Sequence, residues 1–225
     1  VGEGRGEHRE VKRDPVEFVR EAEPGSVIAL IGAPGTGKSR TAKAAAEAWP
    51  RRVVYEPHGE RDRVEAARGK ELFPWRGDLV RLPDLLRAPS VLDRDPLRLV
   101  IVPGTLDAER SGRGFAALCR LAWHTGEIAI VAEEAALYAR HAVAEATLIA
   151  TGGRHAGVRL VMVAQRWGRI PIDVRECVSH LVAYAGAGAD LKELAAKCGA
   201  AFAQGVRALK RGDGPQTWRQ GDAES

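Results

Sequence analysis

Short apolar runs alternate along this chain with stretches whose apolar residues recur at helical spacing. Ser26-Val-Ile-Ala-Leu-Ile31 is a continuous apolar run of strand length, the pattern of a parallel strand covered on both faces. Arg52 to Tyr55, Leu97 to Val102, Ile128 to Ala132, Val158 to Ala164 and Leu181 to Tyr184 repeat it. Between them lie predicted helices. Lys38 to Trp49 is Ala-rich and closes at Pro50, Phe115, Leu118, Cys119 and Ala122 share one helical face, and Ala135 to Ala150 and Asp190 to Cys198 read as helix. Asp14-Pro15-Val16-Glu17 has an N-cap Asp, Pro at N1 and Glu at N3, which predicts a short helix ending before Pro24-Gly25. Further short helices are expected over 61–68 and 83–87. Near the end, Gly212-Asp213-Gly214 predicts a hairpin turn between Val206 to Lys210 and Gln216 to Trp218. Strand alternating with helix gives an α/β fold: a mostly parallel central sheet flanked by helices, with a short C-terminal β-hairpin.

Composition narrows this. The 225 residues are 45% hydrophobic and 28% charged, ordinary for a globular domain. No apolar run reaches the roughly 18 to 20 residues that cross a bilayer, so the chain is expected not to span a membrane and to be cytoplasmic. Residues 1–13 read as a flexible tail, 14–220 as a single domain and 221–225 as a C-terminal tail. Three cysteines without CxxC spacing suggest buried, inert thiols and neither a disulfide framework nor a zinc knuckle. The net charge of +4 permits a polyanionic partner without demanding one.

The decisive chemistry follows the first apolar run. Gly32-Ala33-Pro34-Gly35-Thr36-Gly37-Lys38-Ser39 matches G-x-x-x-x-G-K-[ST] in full, with a strand before and a helix after. Such glycines let successive main-chain N–H groups converge on phosphate oxygens at a helix N-terminus. The segment predicts a P-loop that binds ATP and Mg2+. Lys38 would reach the β and γ phosphates, the Ser39 hydroxyl would face the metal, and Thr41 joins the candidate nucleotide contacts.

Two later strand ends supply candidate catalytic groups. Ile128-Ala-Ile-Val-Ala-Glu133-Glu134 reads as a strand delivering one carboxylate, Glu133, to the Mg2+ shell and a second, Glu134, to the attacking water. The usual metal-side residue is Asp, and here the longer Glu stands in that place. Val158 to Ala164 runs into Gln165-Arg166, which sets an amide at the C-terminal edge of a parallel strand, where ligands of such sheets bind. Gln165 is the candidate for sensing the γ-phosphate or orienting water.

The P-loop, the strand ending Glu-Glu-Ala, and Gly153-Arg154-His155-Ala156-Gly157-Val158 before a strand ending Ala164-Gln165-Arg166 together resemble the FtsK/HerA superfamily of DNA-pumping ATPases. The resemblance covers about Ser26 to Tyr184. Within that superfamily the compact length is similar to genome-packaging ATPases of tailless, membrane-containing icosahedral viruses. It implies an ASCE/RecA-like P-loop NTPase fold and a homo-oligomeric ring, expected to be hexameric, with ATP at subunit interfaces. It further implies sequence-independent binding of double-stranded DNA through its phosphates, a capsid or membrane-vertex partner, and a place in the host cytoplasm or at the packaging vertex of the virion. The superfamily's arginine finger, which reaches across an interface, falls on Arg154, with Arg166 as the second candidate.

Arg110-Ser-Gly-Arg113-Gly reads as a basic, flexible loop between strand and helix that would face the ring's channel and touch DNA phosphates. His141 and His155 lack zinc-enzyme spacing, so no metal beyond Mg2+ is indicated. Three other readings share the P-loop: a filamentous-phage assembly or secretion ATPase, a small-molecule kinase, and a nucleotide-binding regulatory module.

Overall fold

The computed structural model describes residues 13–59, 68 and 75–221. Residues 1–12 of the tail expected over 1–13, the last four residues and nearly all of the helix expected over 61–68 lie outside these.

Eight strands form one sheet: β1 (Val27–Ile31), β2 (Arg51–Tyr55), β3 (Asp78–Arg81), β4 (Leu97–Val102), β5 (Ala129–Ala132), β6 (Arg159–Ala164), β7 (His180–Ala183) and β8 (Gln216–Arg219). Their spatial order is β3-β4-β2-β5-β6-β1-β7-β8. Every pairing is parallel except β7 with β8, which is antiparallel. The mostly parallel sheet and the antiparallel C-terminal pair are as expected, with one difference in detail. β8 pairs with β7 and not with Val206 to Lys210, because Val206 to Ala208 end a helix and Lys210 begins the turn.

Among the described residues, the α-helices with defined bounds are α1 (Pro15–Arg20), α2 (Lys38–Ala46), α3 (Leu82–Arg87), α4 (Ala108–Thr125), α5 (Val143–Ala156), α6 (Ile172–Glu176), α7 (Leu191–Cys198) and α8 (Ala200–Ala208). α1 starts as its sequence dictates: the Asp14 carboxylate accepts from the Val16 N–H at 2.7 Å, with Pro15 at the first helical position.

The alternation of strand side chains sorts the core into two layers. Val27, Ala29 and Ile31 of β1 join Phe115, Leu118, Cys119 and Ala122 of α4 and Ile149 of α5 on one face. Ile28 and Leu30 join Phe18 and Val19 of α1 and Ala42, Ala45 and Ala46 of α2 on the other. Covered on both sides, β1 can be apolar at every position, and all five of its residues are buried. Tyr55, Phe115 and Tyr138 interlock with ring centroids 5.0 to 5.4 Å apart, in the tilted geometry that aromatic rings favour. Cys119 and Cys198 are buried, and burial pushes both thiols up, Cys198 to about 12.

Two expectations fail. The helix expected over Ala135 to Ala150 is broken: Glu134 sits in the left-handed region at φ 49°, two 3-10 turns follow at Ala135–Leu137 and Ala139–His141, and the regular helix starts only at Val143. Arg110 to Arg113 is no loop. Asp107 caps α4, its carboxylate accepting from the Arg110 N–H at 2.7 Å, so the segment lies in the first turns of that helix. Its glycines allow close packing: a methyl group on Gly112 would come within 2.4 Å of His141 Cβ, and one on Gly114 within 2.7 Å of the Tyr55 hydroxyl.

Candidate nucleotide-binding and catalytic site

Strand register alone assembles the site. Ile31 of β1 lies beside Ala164 of β6, so Gly32 and Gln165 leave the sheet at the same level. Ala132 of β5 lies beside Met162, which brings Glu134 out level with Ala164. Because β6 stands between β1 and β5, the Gln165 amide is interposed between the Gly-rich loop and the acidic pair.

The loop is seated by Tyr184, a residue that sequence reading assigned only to a strand end. Gly32 has φ +145°, and a methyl group there would fall 2.7 Å from Tyr184 Cβ, so this position requires glycine on conformational and on steric grounds. The Tyr184 hydroxyl shares a short hydrogen bond with Thr41 Oγ1. Thr41 is buried, and its hydroxyl is engaged inside the protein beneath the loop. The signal available beforehand was position: Tyr184 follows β7, which adjoins the P-loop strand.

Lys38 opens α2 after Gly37, whose φ of +105° turns the chain into the helix. The Lys38 ammonium donates to the carbonyls of Gly32 and Ala33, each at 2.8 Å, and thereby spans the mouth of the loop. Burial lowers its pKa, an effect opposed by the negative charges of Glu134 and Glu133. Thr36 donates to the Ala33 carbonyl at 2.8 Å. Ala33, Pro34 and Gly35 form the outer rim.

The two glutamates take opposite directions. Glu133 is 2% exposed. Its N–H donates to the Tyr55 carbonyl at 3.1 Å and extends the β5 pairing to β2, while the Tyr138 hydroxyl donates to its carbonyl at 2.9 Å. Held at both ends, its side chain accepts from Ser39 Oγ at 2.9 Å through Oε2. Burial raises its pKa to about 7, partly offset by the Ser39 hydrogen bond and the charge of Lys43. Its other oxygen, Oε1, is buried with no hydrogen-bond partner of normal geometry among the described residues. A buried carboxylate oxygen with spare acceptor capacity beside a serine hydroxyl is a hard-oxygen donor set, of the kind that holds Mg2+ with one or two protein groups and completes the shell with phosphate and water. The residues therefore fit that ion.

Glu134, turned outward by its left-handed backbone, lines a cleft of about 510 Å³ with Ala33, Pro34, Gln165, Arg166 and Arg169. Gln165 Nε2 donates to its Oε2 at a long 3.4 Å. A partly exposed carboxylate and an amide thus share the space in front of the loop's rim. Arg166 and Arg169 are both exposed and line the same cleft. Arg169 went unnoticed in the sequence because it follows no motif spacing.

Arg154 lies elsewhere. It sits near the C-terminal end of α5, and a methyl group on Gly25 would fall 2.3 Å from its Cα. Gly25 precedes β1 and the P-loop follows it, so Arg154 lies at the opposite end of the strands from the loop that carries Lys38, separated by the length of β1, about 17 Å for a five-residue strand. It is exposed. It therefore does not reach its own P-loop.

The loop, the strand order and the interposed glutamine define a P-loop NTPase fold. The sequence matches no protein-family model and no curated protein. Among solved structures, the fold is similar to the DNA-packaging ATPase B204 of Sulfolobus turreted icosahedral virus, at 18% identity and a TM-score of 0.58 over 84% of this chain and 90% of that one. It is likewise similar to the genome-packaging NTPase B204 of Sulfolobus turreted icosahedral virus 2. The AMP complex of that protein matches at 16% identity and a TM-score of 0.60, over 88% and 94% of the two chains. Its ATP-gammaS complex matches at 16% identity and a TM-score of 0.57, over 84% and 90%. The expected likeness to viral packaging ATPases is thus found at the level of the fold.

Proposed function

We propose that this chain is an ATPase that couples hydrolysis to movement of double-stranded DNA, packaging a viral genome into a preformed capsid. The observation that carries the catalytic half is the divided acidic pair: Glu133 is buried against Ser39 while Glu134 faces the cleft with Gln165. The DNA half rests on the fold shared with B204 proteins, which are named for DNA or genome packaging.

In this reading the glycine-rich turn binds the triphosphate through its N–H groups, and Lys38 exchanges its carbonyl partners for phosphate oxygens. Ser39 and Glu133 would hold Mg2+, which neutralises charge on the β and γ phosphates when bound. Glu134 accepts a proton from the attacking water, and Gln165 orients that water. Arg154, at the far end of the strands, serves the site of a neighbouring subunit. Six copies arranged head to tail would then form a ring, each presenting one end to the next. Residues 14–220 act as one ATPase domain within that ring, working in the host cytoplasm or at a capsid vertex. Among the described residues, no helix is long and apolar enough to cross a membrane.

The test is ATP turnover with and without double-stranded DNA. DNA should raise the rate several-fold, and less so as salt rises, because phosphate contacts weaken with ionic strength. Turnover indifferent to DNA, or phosphate transferred to a small acceptor, would reject the motor.

A further inference from the structure

One cation near the P-loop belongs to no motif. The chain leaves α8, makes a turn over 210–213, and returns as β8 on the outer side of β7. That turn is closed on itself: the Lys210 N–H donates to the Asp213 carboxylate at 2.7 Å, and the Asp213 N–H donates to the Lys210 carbonyl at 3.0 Å. It is anchored at both ends. Val206 of α8 and Trp218 of β8 are buried, and the side chain of Gln216 packs against Gly205. The geometry fixes where Arg211 lands. A methyl group added to Gly35 would come within 3.2 Å of Arg211 Nη2, so the guanidinium lies against the rim of the P-loop of its own subunit.

No hydrogen bond or ion pair holds this guanidinium among the described residues, and it is exposed. An unpaired guanidinium laid against the surface of a phosphate-binding loop has one evident complement: a polyphosphate in that loop. The planar fork can engage two oxygens at once.

We propose that Arg211 is a nucleotide-binding residue acting within its own subunit, supplying the phosphate chain of a nucleoside di- or triphosphate with a second cation beside Lys38. The inference rests on the nucleotide-binding reading above. It also gives the C-terminal segment a role that its sequence does not advertise: β8 and its turn serve as a strap carrying a charged group to the site.

The roles of the cations around the loop separate by place. Lys38 is inside the loop, Arg154 is at the far end of the strands, Arg166 and Arg169 line the cleft beside Glu134, and Arg211 covers the Gly35 side. A cation on the rim adds attraction for negative phosphate without touching the attacking water. It should therefore govern affinity for ADP as much as for ATP.

The experiment measures dissociation constants for ADP, ATP and AMP with magnesium, by calorimetry, on the full chain and on Arg211→Ala, Arg211→Gln and Arg211→Lys. ADP and ATP should each bind about tenfold more weakly to the Ala and Gln variants, the Lys variant should stay within about threefold of wild type, and AMP should change least. The salt dependence of ADP binding should also be shallower in the Gln variant, which removes the charge and leaves a shorter but still polar side chain. Affinity and salt dependence in Arg211→Gln equal to wild type would overturn the inference while leaving nucleotide binding intact. Failure of the wild type itself to bind any nucleotide would defeat this inference and the proposed function together.

Discussion

At the scale of single residues, the site divides two adjacent glutamates by backbone conformation. Glu133 continues the β5 pairing and stays in the protein, whereas Glu134 takes φ 49° and leaves it. A non-glycine residue in that region costs of order 1 kcal/mol or more and persists where the surroundings impose it. Here the Tyr138 hydroxyl fixes the peptide from below. If Glu134 takes the proton from water, Glu134→Gln should bind ATP with unchanged affinity and lower turnover by about 10² to 10⁴, the range typical of a lost general base. Nucleotide binding and phosphate release measured on one preparation check this, and undiminished turnover would remove Glu134 from that role.

The elements show what the sequence could and could not reveal. β1 and the P-loop were fully legible, because a strand buried on both faces must be apolar throughout and a phosphate cradle needs glycines at fixed intervals. β3 was not: Asp78-Leu-Val-Arg81 is an edge strand with three of its four residues exposed, so neither burial nor alternation marks it. α4 began earlier than expected because the glycines that suggest a loop serve instead to bring the helix close to Tyr55 and His141. α5 began later because a 3.6-residue pattern cannot show the left-handed residue before it. Within the site, the loop and the acidic pair could be read off directly, whereas Tyr184, Arg169 and Arg211 reach it through tertiary placement. α1 offers a test at this scale. Phe18 is 1% exposed and joins α1 to α2, the helix that carries Lys38. Phe18→Ala should destabilise the domain by about 3 to 5 kcal/mol, read as a lower midpoint in urea unfolding.

For the whole molecule, the parallel sheet gives the subunit two unlike ends. The strand ends that carry the loop, Glu134 and Gln165 lie on one, and Arg154 lies on the other. On the proposed ring, a site is completed by the neighbour's arginine, which makes complementation the sharpest check. Arg154→Ala keeps its own catalytic pair but has no arginine to lend, and Glu134→Gln has the reverse. Each alone should be inactive. Mixed in equal amounts, they should regain about one quarter of wild-type turnover, since half of the sites are competent and half of their neighbours can serve them. A mixture as inactive as its components would show that Arg154 does not act across an interface.

The polarity of the sheet carries one more consequence. In the proposed ring, subunits joined front to back leave a vacant front and a vacant back until the circle closes, so a pair of protomers would complete one centre out of two, and only the closed assembly would complete them all. Activity per molecule should therefore climb with protein concentration and level off where size-exclusion chromatography shows the oligomer to be complete. On that reading, dilution would abolish turnover without unfolding a single domain.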